Sequence, residues 1–353
     1  ITPFMIAVFY TVITAWLVAY LKELAGGGLE LLAQEATFSE IVAAPSLFGY
    51  AVFLLIGVFL ILAGGVKGGI ERLARVLMPT LAVMLVALTL FVLTLDGASA
   101  GIAYYLVPDF SKMNLSTVNG ALSQAFFSLS LGMGILITYG SYFSREDSIP
   151  GSARTVAVMD TSIAFFAGLL ILPAIFAFDP NTNTDDLSTS SVGLIFSFLP
   201  KIFLSMQAAV GMVGASAVAF VFFLLVFFAA LTSLVSIIEI PISYWIDEFK
   251  MTRRKAVLTQ ATLLTLFAIP ATLSFGMSEF FTGFTSYGGI SKSFFDVVYD
   301  VFYETILPLV GFTVCLFTAY RWKMSGLTSE LIVGDDSYEG SLLQRYMNFA
   351  LGT

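Results

Sequence analysis

The 353-residue sequence contains no histidine, one cysteine (Cys315) and only 11% charged residues. Without histidine there is no Ser-His-Asp triad. With one cysteine there is no disulfide within the chain and no Cys/His metal cluster. A soluble domain carries about 25% charged residues, and less than half of that share cannot solvate a globule of this size. Acidic residues outnumber basic ones, 24 to 16, for a net charge of −8, which argues against a nucleic-acid partner. What is abundant is apolar: 58% of residues are hydrophobic and 35 are Phe. The composition excludes a soluble enzyme, a disordered chain and a fibre, and defines an all-α polytopic membrane protein.

About 20 apolar residues cross a bilayer as a helix. Eight candidate spans are present, at 2–21, 47–64, 76–95, 119–143, 155–178, 212–246, 256–275 and 293–322. Their length and their lack of period-2 alternation favour helices over barrel strands. Lys and Arg divide twelve to four between alternate connections. The positive-inside rule then makes the richer set cytoplasmic and places the loops 22–46 and 179–211 outside, in a multi-pass protein of the cell membrane. Within the second loop, Leu194–Phe203 is apolar but interrupted by Pro200. It reads either as a re-entrant or lid-like helix pair or as a surface loop with an interfacial anchor. The chain opens on Ile1 inside an apolar run and closes on Arg345–Thr353, which resembles the start of another helix. The expectation is a fragment of a longer protein, forming one transmembrane domain over 1–353.

The polar spots carry the chemistry. The fourth span reads Gln124-Ala-Phe-Phe-Ser-Leu-Ser-Leu-Gly-Met-Gly134, with two serines and two glycines at alternate positions. Gly and Ser hold a helix poorly. A break here would expose backbone carbonyls and amides at mid-bilayer, where they can bind a cation or a carboxylate; the alternative is a continuous helix packed closely through its small residues. In the sixth span Ala229, Thr232, Ser233 and Ser236 follow i, i+3, i+4, i+7 and share a face. Their oxygens suit a small hard cation, or serve helix packing with back-bonding to i−4 carbonyls. Intramembrane acids are costly: Asp160 lies six residues into the span from Arg154, Glu239 precedes Pro241, and Pro308 leaves the carbonyl of Glu304 without its usual helical donor.

Taken together these segments resemble the neurotransmitter:sodium symporter family, in particular its bacterial amino-acid transporters of the LeuT type, whose broken helices illustrate a general transporter design. The carriers are Gln124–Gly134 with Thr138-Tyr-Gly-Ser-Tyr142, and Phe227-Phe-Ala-Ala-Leu-Thr-Ser233. Lys67-Gly-Gly-Ile-Glu-Arg72 and Tyr105-Leu-Val-Pro-Asp-Phe-Ser-Lys112 support them. The resemblance implies a LeuT-type inverted-repeat helical bundle whose first repeat is incomplete here. The eight spans would be the family's helices three to ten, with helices one, two and eleven expected in the full-length protein.

By the same resemblance Ile6, Tyr10, Phe127, Ser128, Ser130, Met133, Ser233 and Ile237 line the substrate pocket. Met133, flexible where many relatives have Phe, implies a large apolar or aromatic amino acid. Ala229, Thr232 and Ser233 match one sodium site, and Ser128 the other. Asp160 stands where a ligating Asn is expected, on an alignment anchored at Gly168; a one-residue shift would put Met159 there. A fixed carboxylate at Asp160 implies chloride-independent coupling. Tyr142 and Asp247 match an inner gate, and Asp296, with Asp300 as the alternative, an outer one. The implied activity is sodium-coupled symport by alternating access, with sodium ions as the only cofactor and an amino acid and the bilayer as partners. The rival readings are a truncated product that does not transport and an ion channel, for which eight dissimilar spans offer no symmetric filter.

Overall fold

The computed structural model describes residues 1–64, 69–141, 143–181 and 191–350. Among them, seven helices are long and apolar enough to cross a membrane: Thr2–Ala25, Ser46–Gly64, Arg75–Val92, Ile149–Phe178, Gln207–Phe249, Arg253–Leu273 and Phe294–Ile332. The remaining expected span, the fourth (119–143), is two helices, Leu115–Ser128 and Ile135–Gly140. The expected start at 212 has a local cause: Gly211 takes φ 73° and ψ 166°, kinking the long helix there. A two-residue Gly288-Gly289 turn, both residues at positive φ, closes a hairpin between Thr285–Tyr287 and Ile290–Lys292.

The chain divides into two compact units. The larger comprises Ala7–Ser111 and Ile163–Val297. In it the Gln207–Phe249 helix packs against Gly69–Val92, Ser46–Gly64 and Arg253–Leu273. The Ser46–Gly64 helix buries Leu47, Leu54, Val58 and Leu62 and exposes Val52, Phe53, Ile56 and Leu60. A helix apolar on its exposed face suits hydrocarbon rather than water. Glycine allows one very close approach: a Cβ on Gly101 would lie 2.4 Å from the Pro173 backbone.

Residues 194–203 are neither a loop nor a surface anchor. They belong to one helix, Ser191–Ser205, that buries Phe196, Ile202 and Phe203 in the larger unit. Pro200 has no N–H to return to the carbonyl of Phe196, and the Tyr20 hydroxyl donates to that carbonyl at 3.1 Å. Trp16 packs edge-to-face on Phe38, Phe196 and Phe275.

Glu239 and Arg253 form a bidentate pair at 2.7 and 2.9 Å. Arg253 also donates to the carbonyl of Leu62 from Nε and Nη2, at 3.1 and 2.8 Å. One guanidinium therefore ties together three helices, and Glu239 is committed to it.

The smaller unit comprises Ile1–Ile6, Lys112–Ser162 and Val298–Thr353. Leu115–Ser128 packs on Leu307–Leu316 and on the π-helical segment Tyr299–Ile306. The contact is close because Gly311 lacks a Cβ, which would lie 1.8 Å from the Phe126 ring.

Candidate ion and substrate site

Leu115–Ser128 ends in a Schellman motif. Leu131 N–H donates to the Phe126 carbonyl at 2.7 Å and Ser130 N–H to Phe127 at 3.0 Å. The left-handed position of that motif is usually Gly; here it is Ser130, at φ 57°. A non-Gly residue held there costs about 1–3 kcal/mol, and such residues cluster at functional sites. Gly132 and Gly134 follow at φ 72° and 82°, and the second helix starts at Ile135. The Ser/Gly stretch is thus non-helical, and of the two readings of the fourth span the break is the one found.

Just before the break, the Ser128 hydroxyl donates to Oδ1 of Asp160 at 2.5 Å, in the short range expected of a charge-assisted bond. This contact places Asp160, rather than exposed Met159, beside the break. Phe127 stands edge-to-face on Tyr303, with centroids 5.1 Å apart. The Tyr303 hydroxyl donates to Oε1 of Gln124 at 2.6 Å. Met133 is buried.

In the larger unit, Tyr10 and Ser233 are hydrogen-bonded through their side chains. Thr232 Oγ1 donates to the Ala229 carbonyl at 2.9 Å, and Ser236 Oγ to the Thr232 carbonyl at 3.0 Å. The stripe on the sixth span therefore back-bonds as a packing stripe does, while Ala229 and Thr232 remain half-buried and Ser233 exposed. The Ala229 carbonyl and Thr232 hydroxyl oxygens lie 2.9 Å apart, and oxygens of these kinds can ligate a hard cation. Ile237 is buried. Ile6, also buried, lies one turn before Tyr10 on the same helix.

Of the gate residues, Tyr142 lies outside the described residues. Asp247 is exposed, and its carbonyl accepts from Lys250 Nζ at 2.6 Å. Asp296 works in a capping box: its carboxylate accepts from the N–H and Oγ of Ser293, and Ser293 Oγ accepts from Asp296 N–H. Asp300 sits in the π-helical segment.

Sequence reasoning missed the donors to Glu304. Its carbonyl accepts from Asn119 Nδ2 and from Ser123 Oγ, each at 3.1 Å. The signal was Pro308, four residues on, which identified the exposed acceptor but not its partners.

A second polar cluster joins two connections of the smaller unit. Ser148 Oγ donates to Asp335 at 2.6 Å, and a Cβ on Gly334 would lie 2.6 Å from the Asp147 carbonyl. Hydrogen bonds from Ser148 and then Ser337 hold the Asp335 carboxyl below its ordinary 3.8. The backbone N–H and then the hydroxyl of Ser144 do the same for Asp147. A carboxyl lowered on folding stabilises the fold above its unfolded value and loses that contribution as pH falls through the folded one. Amide exchange in 144–148 and 334–338, corrected for intrinsic rate, should therefore quicken from about pH 5 to about pH 3. In Asp335→Asn the acid-induced step should shrink; an unchanged step would show that Asp335 is not its source.

A polytopic helical chain, with one helix interrupted by strained backbone and a carboxylate and hydroxyl at the interruption, has the architecture of a secondary transporter. Residues 46–334 match the model of the sodium:neurotransmitter symporter family. The chain belongs to that family, one of sodium-dependent transporters. It is 33% identical over 340 residues to the uncharacterized sodium-dependent transporter YhdH of Bacillus subtilis, covering 95% of this chain and 71% of the relative. It is 34% identical over 330 residues to an uncharacterized sodium-dependent transporter of Haemophilus influenzae, covering 91% and 68%. The crystal structure of MhsT in complex with L-phenylalanine matches with a TM-score of 0.86 and 37% identity, over 99% of this chain and 76% of that one. The LeuT-type helical fold expected from the sequence is the fold found.

Proposed function

We propose that this protein couples sodium entry to uptake of a hydrophobic or aromatic amino acid across the cell membrane, by alternating access and without chloride. The observation that carries this reading is the Ser128–Asp160 bond at the strained break. It sets a fixed negative charge beside the backbone carbonyls that end a half-helix, which suits a small cation. Likeness to MhsT, whose structure holds L-phenylalanine, supports the substrate class, and Met133 supports a roomy pocket.

In this reading Ile6, Tyr10, Phe127, Ser128, Ser130, Met133, Ser233 and Ile237 contact the amino acid. Ser128 and Asp160 serve one sodium ion; Ala229, Thr232 and Ser233 serve a second. Tyr142 and Asp247 belong to the inner gate. Asp296 belongs to the outer gate and would leave its capping box to do so, whereas Asp300 would not need to. The connections 22–46 and 179–211, the second carrying the Ser191–Ser205 helix, face outside. Sodium binds the outward-open state better than the inward-open one, so its gradient drives the cycle.

The test is uptake of labelled L-phenylalanine by the full-length protein in proteoliposomes. An inward sodium gradient should give saturable uptake that disappears when potassium replaces sodium and persists when gluconate replaces chloride. Uptake indifferent to sodium, or a sodium current that does not saturate, would refute the reading, the latter in favour of a channel.

A further inference from the structure

We propose that Asn119 and Ser123 are positioning residues, clipping the half-helix that ends at Ser128 onto a backbone carbonyl exposed by Pro308. The proposal rests on the reading that Ser128 and Asp160 bind sodium, and it adds how Ser128 is held in place.

Proline at 308 offers no N–H at four-residue spacing to Glu304, and its ring crowds the carbonyl there. The chain widens at this place into the π-helical segment Tyr299–Ile306. In hydrocarbon a backbone acceptor needs a donor. Asn119 Nδ2 and Ser123 Oγ both come within 3.1 Å of the Glu304 oxygen. The Ser123 hydroxyl is also 2.9 Å from the Asn119 carbonyl, so its single proton is shared, while the Asn119 amide gives a hydrogen of its own. Asn119 and Ser123 are four residues apart, on one helical face. Gln124 adds a third bond in the same direction, to Tyr303.

Ser123 is fully buried and lies five residues before Ser128, so it sets the height and rotation at which the half-helix terminates. Below it the Gly311 backbone abuts Phe126, which limits sliding. The strained Ser130 turn begins directly after. Loss of the two side-chain donors leaves the half-helix held by fewer bonds and able to rotate further, and Ser128 then meets Asp160 only part of the time. Binding that needs both groups weakens by that fraction.

The experiment is a double-mutant cycle with a built-in rescue, in the full-length protein in nanodiscs. Paired substitution Asn119→Ala with Ser123→Ala should raise the sodium concentration for half-maximal L-phenylalanine binding about tenfold, the size expected for losing one to two net hydrogen bonds, with the number of binding sites unchanged. Adding Pro308→Ala supplies the missing N–H, and in that background the same pair should shift sodium affinity less than twofold. Asn119→Asp keeps the shape but faces an oxygen with an oxygen, and should be at least as harmful as Asn119→Ala; this variant decides the matter if Pro308→Ala does not fold. An equal shift in both backgrounds, or an Asn119→Asp protein with parental sodium affinity, would overturn the proposal. If the parent protein shows no sodium-dependent phenylalanine binding, the functional reading fails instead. Hydrogen exchange of residues 115–128 without ligands then decides the clip: the paired variant exchanges faster than the parent if it exists and equally if it does not.

Discussion

Asp160→Asn should leave a transporter that depends on chloride. The amide is isosteric and still accepts the Ser128 hydroxyl, now at 2.5 Å from Asp160, so the geometry survives while the charge does not. Two unit charges about 4 Å apart at an effective dielectric of about 20 interact by about 4 kcal/mol. Solvent access to the half-buried carboxylate reduces that, so half-saturating sodium in chloride-free medium should rise by roughly two orders of magnitude. Chloride, as a replacement anion, should recover most of the affinity, with no effect on the parent protein. The measurement is sodium-dependent L-phenylalanine uptake with chloride or gluconate as the anion. An Asp160→Asn protein that matches its parent in gluconate would show that Asp160 does not compensate the sodium charge.

Arg253→Ala should cause the largest loss of stability of any single charge removal in the larger unit. The arginine neutralises Glu239 with two bonds and donates two more to Leu62. Breaking a buried ion pair from one side costs about 3–5 kcal/mol, because the remaining charge stays behind unpaired. The Arg253 side chain is 35% exposed and that of Glu239 17%, which brings the expectation down to roughly 2–3 kcal/mol. Arg253→Lys should recover little, since an ammonium cannot fork onto a carboxylate and reach the Leu62 carbonyl together. Arg253→Ala with Glu239→Gln should recover about half of the loss, because the stranded charge is gone. Thermal midpoints in detergent read all three, and a double variant no more stable than Arg253→Ala would contradict this account.

The proline-linked contacts show where sequence reasoning ended. Pro200 and Pro308 each identify, by a four-residue count, a carbonyl whose i+4 residue has no N–H to give: Phe196 and Glu304. That count is local. The donors are not, since Tyr20 reaches Phe196 from 176 residues away and Asn119 reaches Glu304 from 185. The 194–203 segment was ambiguous for a related reason. An apolar run with a proline is compatible with an anchor, a loop or a packed helix until the surface that buries Phe196 and Phe203 is known.

The sequence by itself determined the membrane class and the helical fold, and it located the Ser/Gly stretch of residues 128–134 as the place where a break could fall, while leaving a continuous helix open until the backbone was seen. Span length, apolar composition and the left-handed preference of Gly are properties of contiguous residues, and a bilayer forces backbone satisfaction within each span. Only the tertiary structure decided which polar groups serve one another: Ser128 with Asp160 across 32 residues and Glu239 with Arg253 across 14. Such pairs depend on the rotation and height of separate helices, which side-chain packing sets and hydropathy does not encode.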